Sequence, residues 1–207
     1  MQGFRSAPIT ALVYSDSALV DQLLRDVALH LAEEGWSLAG LVQRNTPRPG
    51  RSRCDMILED LSSGEFVGIS QDRGPLARGC ALDVGQLLTA MQMVRQSLDV
   101  RPDLVILNKF GKSESEGEGF RPLLAELLAA EIPVLIAVPW RNIENWRQFA
   151  GEYAREIMVE NCSTEAATFC NSIGWCASDG LIGRGDQVRS GIHVETLDGD
   201  MIVPFHE

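Results

Sequence analysis

The sequence predicts an α/β fold: a three-layer core around a mostly parallel sheet, with an inserted β-hairpin and a C-terminal β-hairpin appendage. Three observations carry this reading. The runs Ile9–Tyr14 (ITALVY) and Leu104–Leu107 (LVIL) are short and mostly or wholly apolar, as strands buried on both faces are. The first run leads into helical periodicity and then into a second short apolar run, Leu38–Val42, so the chain opens β-α-β. Near the end, "IHVETLDGDMIVPF" places two β-prone runs around Asp198-Gly199, a short-range hairpin signal.

The elements follow in order. Ser15-Asp16-Ser17 supplies helix N-cap candidates, and Leu19, Leu23, Leu24, Val27 and Leu31 mark the apolar face of a helix that Gly35 ends. Gln43–Arg53 is polar, with Pro47, Pro49 and Gly50, and reads as a loop. Cys54–Leu61 and Glu65–Ser70 read as the strands of the inserted hairpin around Ser62-Ser63-Gly64. A loop from Gln71 to Cys80 precedes a helix over 83–98, and the strand at 104–107 follows. A helix over 120–130, a strand over 133–138 and a helix over 145–157 come next, with Ser163-Thr164 as the cap of one more. After Gly174 the chain turns glycine-rich, which divides it into a domain at 1–175 and a linker with hairpin at 176–207. Pro204 puts the last strand at an edge.

Composition narrows the class. A chain of 207 residues, 45% hydrophobic, suits one domain with a small appendage. A net charge of −11 argues against nucleic acid and anionic membrane as partners. Residues 1–8 (MQGFRSAP) lack the apolar core of a signal peptide, and no run reaches the length of a membrane span. Five cysteines without a CxxC pair read as reduced thiols, so a cytoplasmic location is expected.

The end of the 104–107 strand frames the functional question. In a nucleotide hydrolase an acidic residue at such a point holds a metal ion, whereas this chain continues Asn108-Lys109-Phe110-Gly111-Lys112. An amide is a weak Mg²⁺ ligand, and a charged lysine cannot act as a general base. After the first strand, a phosphate loop would read GxxxxGK[ST], with glycines that let backbone N–H groups curl around phosphate and a lysine that reaches it. Here Tyr14-Ser15-Asp16-Ser17-Ala18-Leu19-Val20-Asp21 contains no glycine, and the first basic residue beyond it is Arg25. Asp16 and Asp21 oppose a polyphosphate, so ATP binding in the usual P-loop manner is not expected. Ser15–Ser17 read as caps of a core helix.

The order of the pieces resembles the THEP-type nucleoside-triphosphatases, a P-loop family, over residues 9–140. The matching segments are "AGLVQRN", "CDMILEDLSSGEFVGIS" and "NKFGKSESEGEGF". That resemblance makes the expected fold a three-layer P-loop-NTPase-like sheet with a degenerate Walker A segment. Where the family has Asp-Glu in "DEIGKME", this chain has Asn108-Lys109, while Gly111, Lys112 and Glu114 remain. A more specific resemblance is to DUF2478, a bacterial family of unknown function, through "LVQRN", "C-x-M-x-L-x-D-L", "ISQDRG", "GC-x-LD" and "NKFGK-x-E". That family's association with molybdenum transport genes implies an oxyanion. The catalytic candidates that the resemblance leaves are Lys109, Lys112 and Glu114.

The arginines are clustered. Arg44, Arg48, Arg51 and Arg53 fall in a stretch without acidic residues, and Arg73 and Arg78 lie in the next loop. Guanidinium groups suit oxyanions because their planar donors bind two oxygens at once. Convergence of both loops on Asn108, Lys109 and Lys112 would make an anion site at the carboxyl ends of the strands; the alternative is a solvated loop or an intersubunit patch. Cys54 and Cys80 adjoin Arg53 and Arg78, which would stabilise thiolates, although free cysteines are more often small buried apolar residues. Cys162, Cys170 and Cys176 lack zinc spacing, Asp55, Glu59 and Asp60 alternate in facing, and His193 and His206 belong to no triad, so no metal site is expected. Trp146, Phe149 and Tyr153 repeat at helical spacing and read with Trp140 as packing, with base stacking or a subunit interface as alternatives.

Three functions fit these residues. The first is a non-hydrolytic or weakly active protein that binds an oxyanion or phosphorylated small molecule, as an accessory in molybdenum metabolism. The second is a noncanonical nucleoside-triphosphatase that uses Lys109, Lys112 and Glu114. The third is a structural or regulatory module whose terminal hairpin pairs with another subunit in a homo-oligomer. No cofactor is fixed by the sequence; nucleotide and molybdate are the ligands it admits.

Overall fold

The computed structural model describes residues 8–47, 54–71 and 81–175. They belong to the first of two compact units, Met1–Ala177; the second unit, Ser178–Glu207, lies outside them, and with it the expected C-terminal hairpin. In chain order the elements are β1 (Ile9–Tyr14), α1 (Ser17–Glu33), β2 (Leu38–Pro47), β3 (Cys54–Asp60), β4 (Phe66–Gly68), β5 (Ser70–Gln71) and β6 (Ala81–Leu82). There follow α2 (Val84–Ser97), β7 (Leu104–Leu107), α3 (Lys112–Ser115), α4 (Arg121–Ala129), β8 (Val134–Pro139), α5 (Ile143–Ala150), β9 (Ala154–Met158) and α6 (Ala166–Ser172).

Among the described residues, seven strands form one sheet in the order β4-β3-β2-β7-β8-β1-β9, and β5 pairs with β6 in a separate ribbon. The pairs β2–β7, β7–β8, β8–β1 and β1–β9 are parallel, whereas β2–β3 and β3–β4 are antiparallel. The inserted hairpin is thus part of the main sheet. Its turn is closed by Asp60, whose Oδ2 accepts from Ser62 Oγ, Ser63 N and Ser63 Oγ at 2.6, 2.9 and 2.8 Å.

The layers follow from the period-two alternation of the central strands. Ile9, Ala11 and Val13 of β1 pack on one face with Leu87 and Met91 of α2, Leu123 and Leu127 of α4, and Trp146 of α5. Leu12 and Tyr14 pack on the other face with Leu23, Leu24 and Val27 of α1 and Phe169 and Cys170 of α6. Every residue of β1, β7 and β8 is buried, which explains their apolar runs. Asp16 caps α1 by accepting from Ala18 N at 2.8 Å, within the segment Ser15–Ser17 that the sequence marks.

Several elements differ from the sequence expectation. β2 runs on to Pro47, because antiparallel pairing with β3 absorbs the polar residues Gln43–Thr46 that read as loop. The second hairpin strand is divided into β4 and β5, and the short β6 was not foreseen. The expected helix over 145–157 is α5 followed by β9: Gly151, at φ 51°, ends the helix and the chain returns along β1. α6 begins after Glu165 rather than at Ser163-Thr164. Tyr153 consequently leaves the helical face and is 56% exposed, while Trp146 is fully buried as expected.

Gly40 allows β2 and β7 to approach. It has φ +110°, and a Cβ there would lie 2.0 Å from the Ile106 carbonyl oxygen. Gly40→Ala is therefore expected to destabilise the domain by more than about 3 kcal/mol in urea unfolding, since backbone on both sides must move.

Candidate functional site

The parallel strands β2, β7, β8, β1 and β9 end on one edge of the sheet. From the neighbouring strands β1 and β8 the chain departs to opposite faces, into α1 and α5 respectively. A crevice at the carboxyl ends is the usual ligand position in open α/β sheets of this kind. Three segments meet there: Tyr14–Ser17, Asn108–Lys112 and Pro139–Asn142. Backbone bonds fix the middle one, with Asn108 N donating to Leu41 O at 3.0 Å and Phe110 N to Ala137 O at 2.9 Å. Asn142 Nδ2 ties the third segment to it by donating to Phe110 O at 3.0 Å. Phe110 anchors the loop, with its ring centroid 5.1 Å from Trp146 and 5.8 Å from Phe149.

At the centre, Asn108 Nδ2 donates to Asp21 Oδ1 at 2.8 Å. Both residues are 3% exposed. The position at which a hydrolase holds its metal therefore carries an amide that donates to a carboxylate of the chain. Such a charge-assisted bond is worth more than a neutral one, and an Asp here would set two buried carboxylates against each other. Asn108 Oδ1 is buried without a hydrogen-bond partner among the described residues. Tyr14 joins the cluster: burial first, then the Asp21 charge, pushes its hydroxyl well above the ordinary phenol range, and Arg141 partly offsets them. Asn108 and Lys109 are joined by a cis peptide bond.

The start of α1 is occupied by the protein's own carboxylates. Ser15 N donates to Glu160 Oε1 at 3.0 Å, and Ala18 N is taken by Asp16. The carboxyl pKa of Glu160 is lowered by hydrogen bonds from its own backbone N–H and then from Ser15. Backbone donors that a phosphate loop would offer to a ligand are here partly satisfied from within.

The remaining sequence-marked residues separate. Lys109 is half-buried beside the cluster, and its charge acts on Glu114. Glu114 is 4% exposed, and its two oxygens accept from Gly111 N at 2.7 Å and Phe120 N at 2.9 Å. The first bond is half of a capping box at α3. A Cβ on Gly119 would lie 2.0 Å from Glu114 Oε1, so the loop closes tightly on the carboxylate. These bonds make Glu114, one of the catalytic candidates, the carboxylate that frames the 111–120 loop. Lys112 points outward, 86% exposed, 3.6 Å from Glu116, and does not join Lys109. Arg44 lies on β2, paired with Glu59 of β3 and seated 5.6 Å from the Phe66 ring centroid, so it belongs to the sheet surface rather than to an arginine loop. Arg48, Arg51, Arg53, Arg73 and Arg78 lie outside the described residues, as do Cys80 and Cys176. Among the described residues no cluster of metal-ligating side chains occurs, and no helix is long and apolar enough to cross a membrane.

Sequence reasoning missed Arg141, Glu160 and the cluster role of Tyr14. The partners of these contacts are 87 and 145 residues apart in the Asn108–Asp21 and Ser15–Glu160 pairs, beyond any local pattern.

This arrangement defines a mostly parallel α/β domain, compatible with a P-loop-like fold, that lacks the metal carboxylate and phosphate loop. Comparison with known proteins gives its family: residues 9–166 match the family described as protein of unknown function (DUF2478), and the chain belongs to it. It is also 35% identical, over 158 residues, to the molybdenum import ATP-binding protein ModC 2 of Bradyrhizobium diazoefficiens. That match covers 76% of this chain and 18% of the relative, so the chain spans about a fifth of that protein's length. No solved structure matches.

Two variants probe the site's framework. Asn108→Asp is expected to lower unfolding stability by about 3 kcal/mol at neutral pH in urea titrations, because Asp21 exchanges a donor for a buried like charge. The carboxyl pKa of Glu114 is raised from 4.5, chiefly by burial, against the opposing effect of its backbone donors and of Lys109. A raised folded-state pKa stabilises fully below the unfolded value and is lost as pH climbs through the folded one. The stability advantage of the native protein over Glu114→Gln is thus greatest near pH 4.5 and below, and narrows towards neutrality.

Proposed function

We propose that this domain is a non-hydrolysing, P-loop-like module that binds an oxyanion or phosphorylated small molecule at the carboxyl end of its parallel sheet, as an accessory in molybdenum metabolism. The buried Asn108–Asp21 hydrogen bond carries the non-hydrolysing part of this reading. It places a donor where metal-assisted phosphoryl transfer needs an anionic ligand. The occupied start of α1 supports it, because Glu160 and Asp16 hold donors that a triphosphate would need. Arg141 supplies positive charge to the Tyr14–Asp21–Asn108 cluster, and Lys109, next to Asn108 in the chain, carries a charge that acts on Glu114. Arg48, Arg51, Arg53, Arg73 and Arg78 extend the anion site in this proposal, on the strength of their clustering in the sequence. The element order shared with THEP-type nucleoside-triphosphatases supports a common ancestry with loss of the reaction. The molybdenum setting rests on the name of the relative, of which this chain matches 18%.

A thermal-shift panel at matched ionic strength, without Mg²⁺, tests the binding. It compares molybdate, tungstate, phosphate, sulfate and the nucleoside monophosphates. A ligand at about 100 Kd adds roughly 2.7 kcal/mol to native-state stability. At least one anion is expected to raise the melting temperature, and Lys109→Ala or Arg141→Ala to abolish the shift while the unliganded melt moves by less than about 0.5 kcal/mol. A panel in which no anion moves the melt contradicts the proposal.

A further inference from the structure

Trp140 is an aromatic side chain for which packing offers no account. The residue is 51% exposed although it follows directly on the fully buried β8. Phe66, another exposed aromatic, has its ring covered by Arg44, and Tyr153 lies beyond α5, before β9. Trp140 is instead at the ligand edge: the register Tyr14↔Pro139 sets it abreast of Ser15, where β1 and β8 send their chains to opposite faces. Its backbone is held firmly. Ile143 N closes the single 3₁₀ turn onto Trp140 O, Asn142 ties that turn to Phe110 O at 3.0 Å, and Ile143 and Trp146 bury the helix that follows. An exposed tryptophan on a backbone turn held in this way is suited to stacking on a planar ring.

Its neighbours supply the rest of a recognition chemistry. Arg141 follows it and acts electrostatically on Tyr14 in the buried cluster. Lys109 stands on the adjoining loop, and Asn108 Oδ1 is a buried acceptor whose capacity no described residue meets. An aromatic face, two cations and an unmet acceptor together fit a ligand that joins an anionic group to a planar, hydrogen-bond-donating heterocycle.

We propose that Trp140 is the stacking platform of this site and that the ligand is a phosphorylated planar heterocycle, of nucleoside-monophosphate character, rather than a bare oxyanion. The inference rests on the anion-binding reading above and narrows it. The cations hold the phosphoryl group without a metal, and the indole discriminates for the ring.

The test is calorimetric titration of the full chain, without Mg²⁺, with guanosine monophosphate, ribose 5-phosphate and inorganic phosphate. The protein is compared with Trp140→Ala, Trp140→Phe and Lys109→Ala. Guanosine monophosphate is expected to bind about tenfold or more tightly than ribose 5-phosphate, the range that base–aromatic stacking provides. Trp140→Ala should erase that preference while the affinity for ribose 5-phosphate stays unchanged, and Trp140→Phe should keep most of it. Indole emission should fall with the nucleotide and not with ribose 5-phosphate, and this quenching should be absent in Trp140→Phe. Equal affinity for the two sugar phosphates, or a preference that survives Trp140→Ala, overturns the role of Trp140 while the anion site stands. Failure of all three ligands to bind overturns the inference, and the molybdate, tungstate and sulfate arms of the thermal-shift panel then decide the anion reading separately. Uniform weakening of all three by Lys109→Ala, with the ring preference retained, supports both.

Discussion

The buried hydrogen bond from the Asn108 amide to the Asp21 carboxylate is the contact around which the carboxyl edge is organised. It joins the end of β7 to the second turn of α1, the helix whose crossover carries the chain from β1 past β8 and β7 to β2. A carboxylate this deeply buried is tolerable only with donors around it, and the amide of Asn108 is one of them. The same bond fixes the start of the 108–112 loop, which Phe110 then anchors among Trp146 and Phe149 and Glu114 closes onto Phe120. Lys109 is held between these fixed points.

That constraint also sets what chemistry the edge supports. An acceptor-only carboxylate at the end of β7 would invite a divalent cation, and with it phosphoryl transfer. The amide turns the local demand around: Asp21 receives a donor from the protein, and in the proposed reading the cationic groups Lys109 and Arg141 serve an anion. The start of α1 follows the same logic, since Glu160 and Asp16 serve donors there. On the proposed reading, a sheet compatible with a P-loop-like fold keeps its carboxyl-end crevice while the groups that line it suit an anion without a metal. The chain belongs to DUF2478, a family described as of unknown function, and is similar to part of a molybdenum import ATP-binding protein.

The central strands were legible because burial on both faces leaves an unmistakable apolar run: β1, β7 and β8 lie within one residue of where ITALVY, LVIL and PVLIAV put them. β9 was not, since the edge strand Ala154–Met158 carries Arg155 and Glu156, and the helical spacing of Trp146, Phe149 and Tyr153 runs straight across Gly151. The polar end of β2 reads as loop for a related reason, because ladder pairing with β3 is made by the backbone and does not require apolar side chains. At the site, Asn108 and Lys109 announced themselves by departing from the hydrolase pattern. Asp21 was legible only as a charge that opposes phosphate, and Glu160 and Arg141 not at all, because their roles arise where distant strand ends meet. Trp140 shows another limit: the sequence leaves packing, base stacking and a subunit interface open for it, and its place at the end of β8 leaves it exposed.

The central claim, an anion site without hydrolysis, is tested most directly by phosphate release from MgATP and MgGTP on purified protein. Release that equals the buffer rate, with and without Mg²⁺, is the predicted result. Mg²⁺-dependent release that a chelator stops and Lys109→Ala abolishes would contradict it, and would mean that this edge of the sheet performs the reaction without the usual carboxylate.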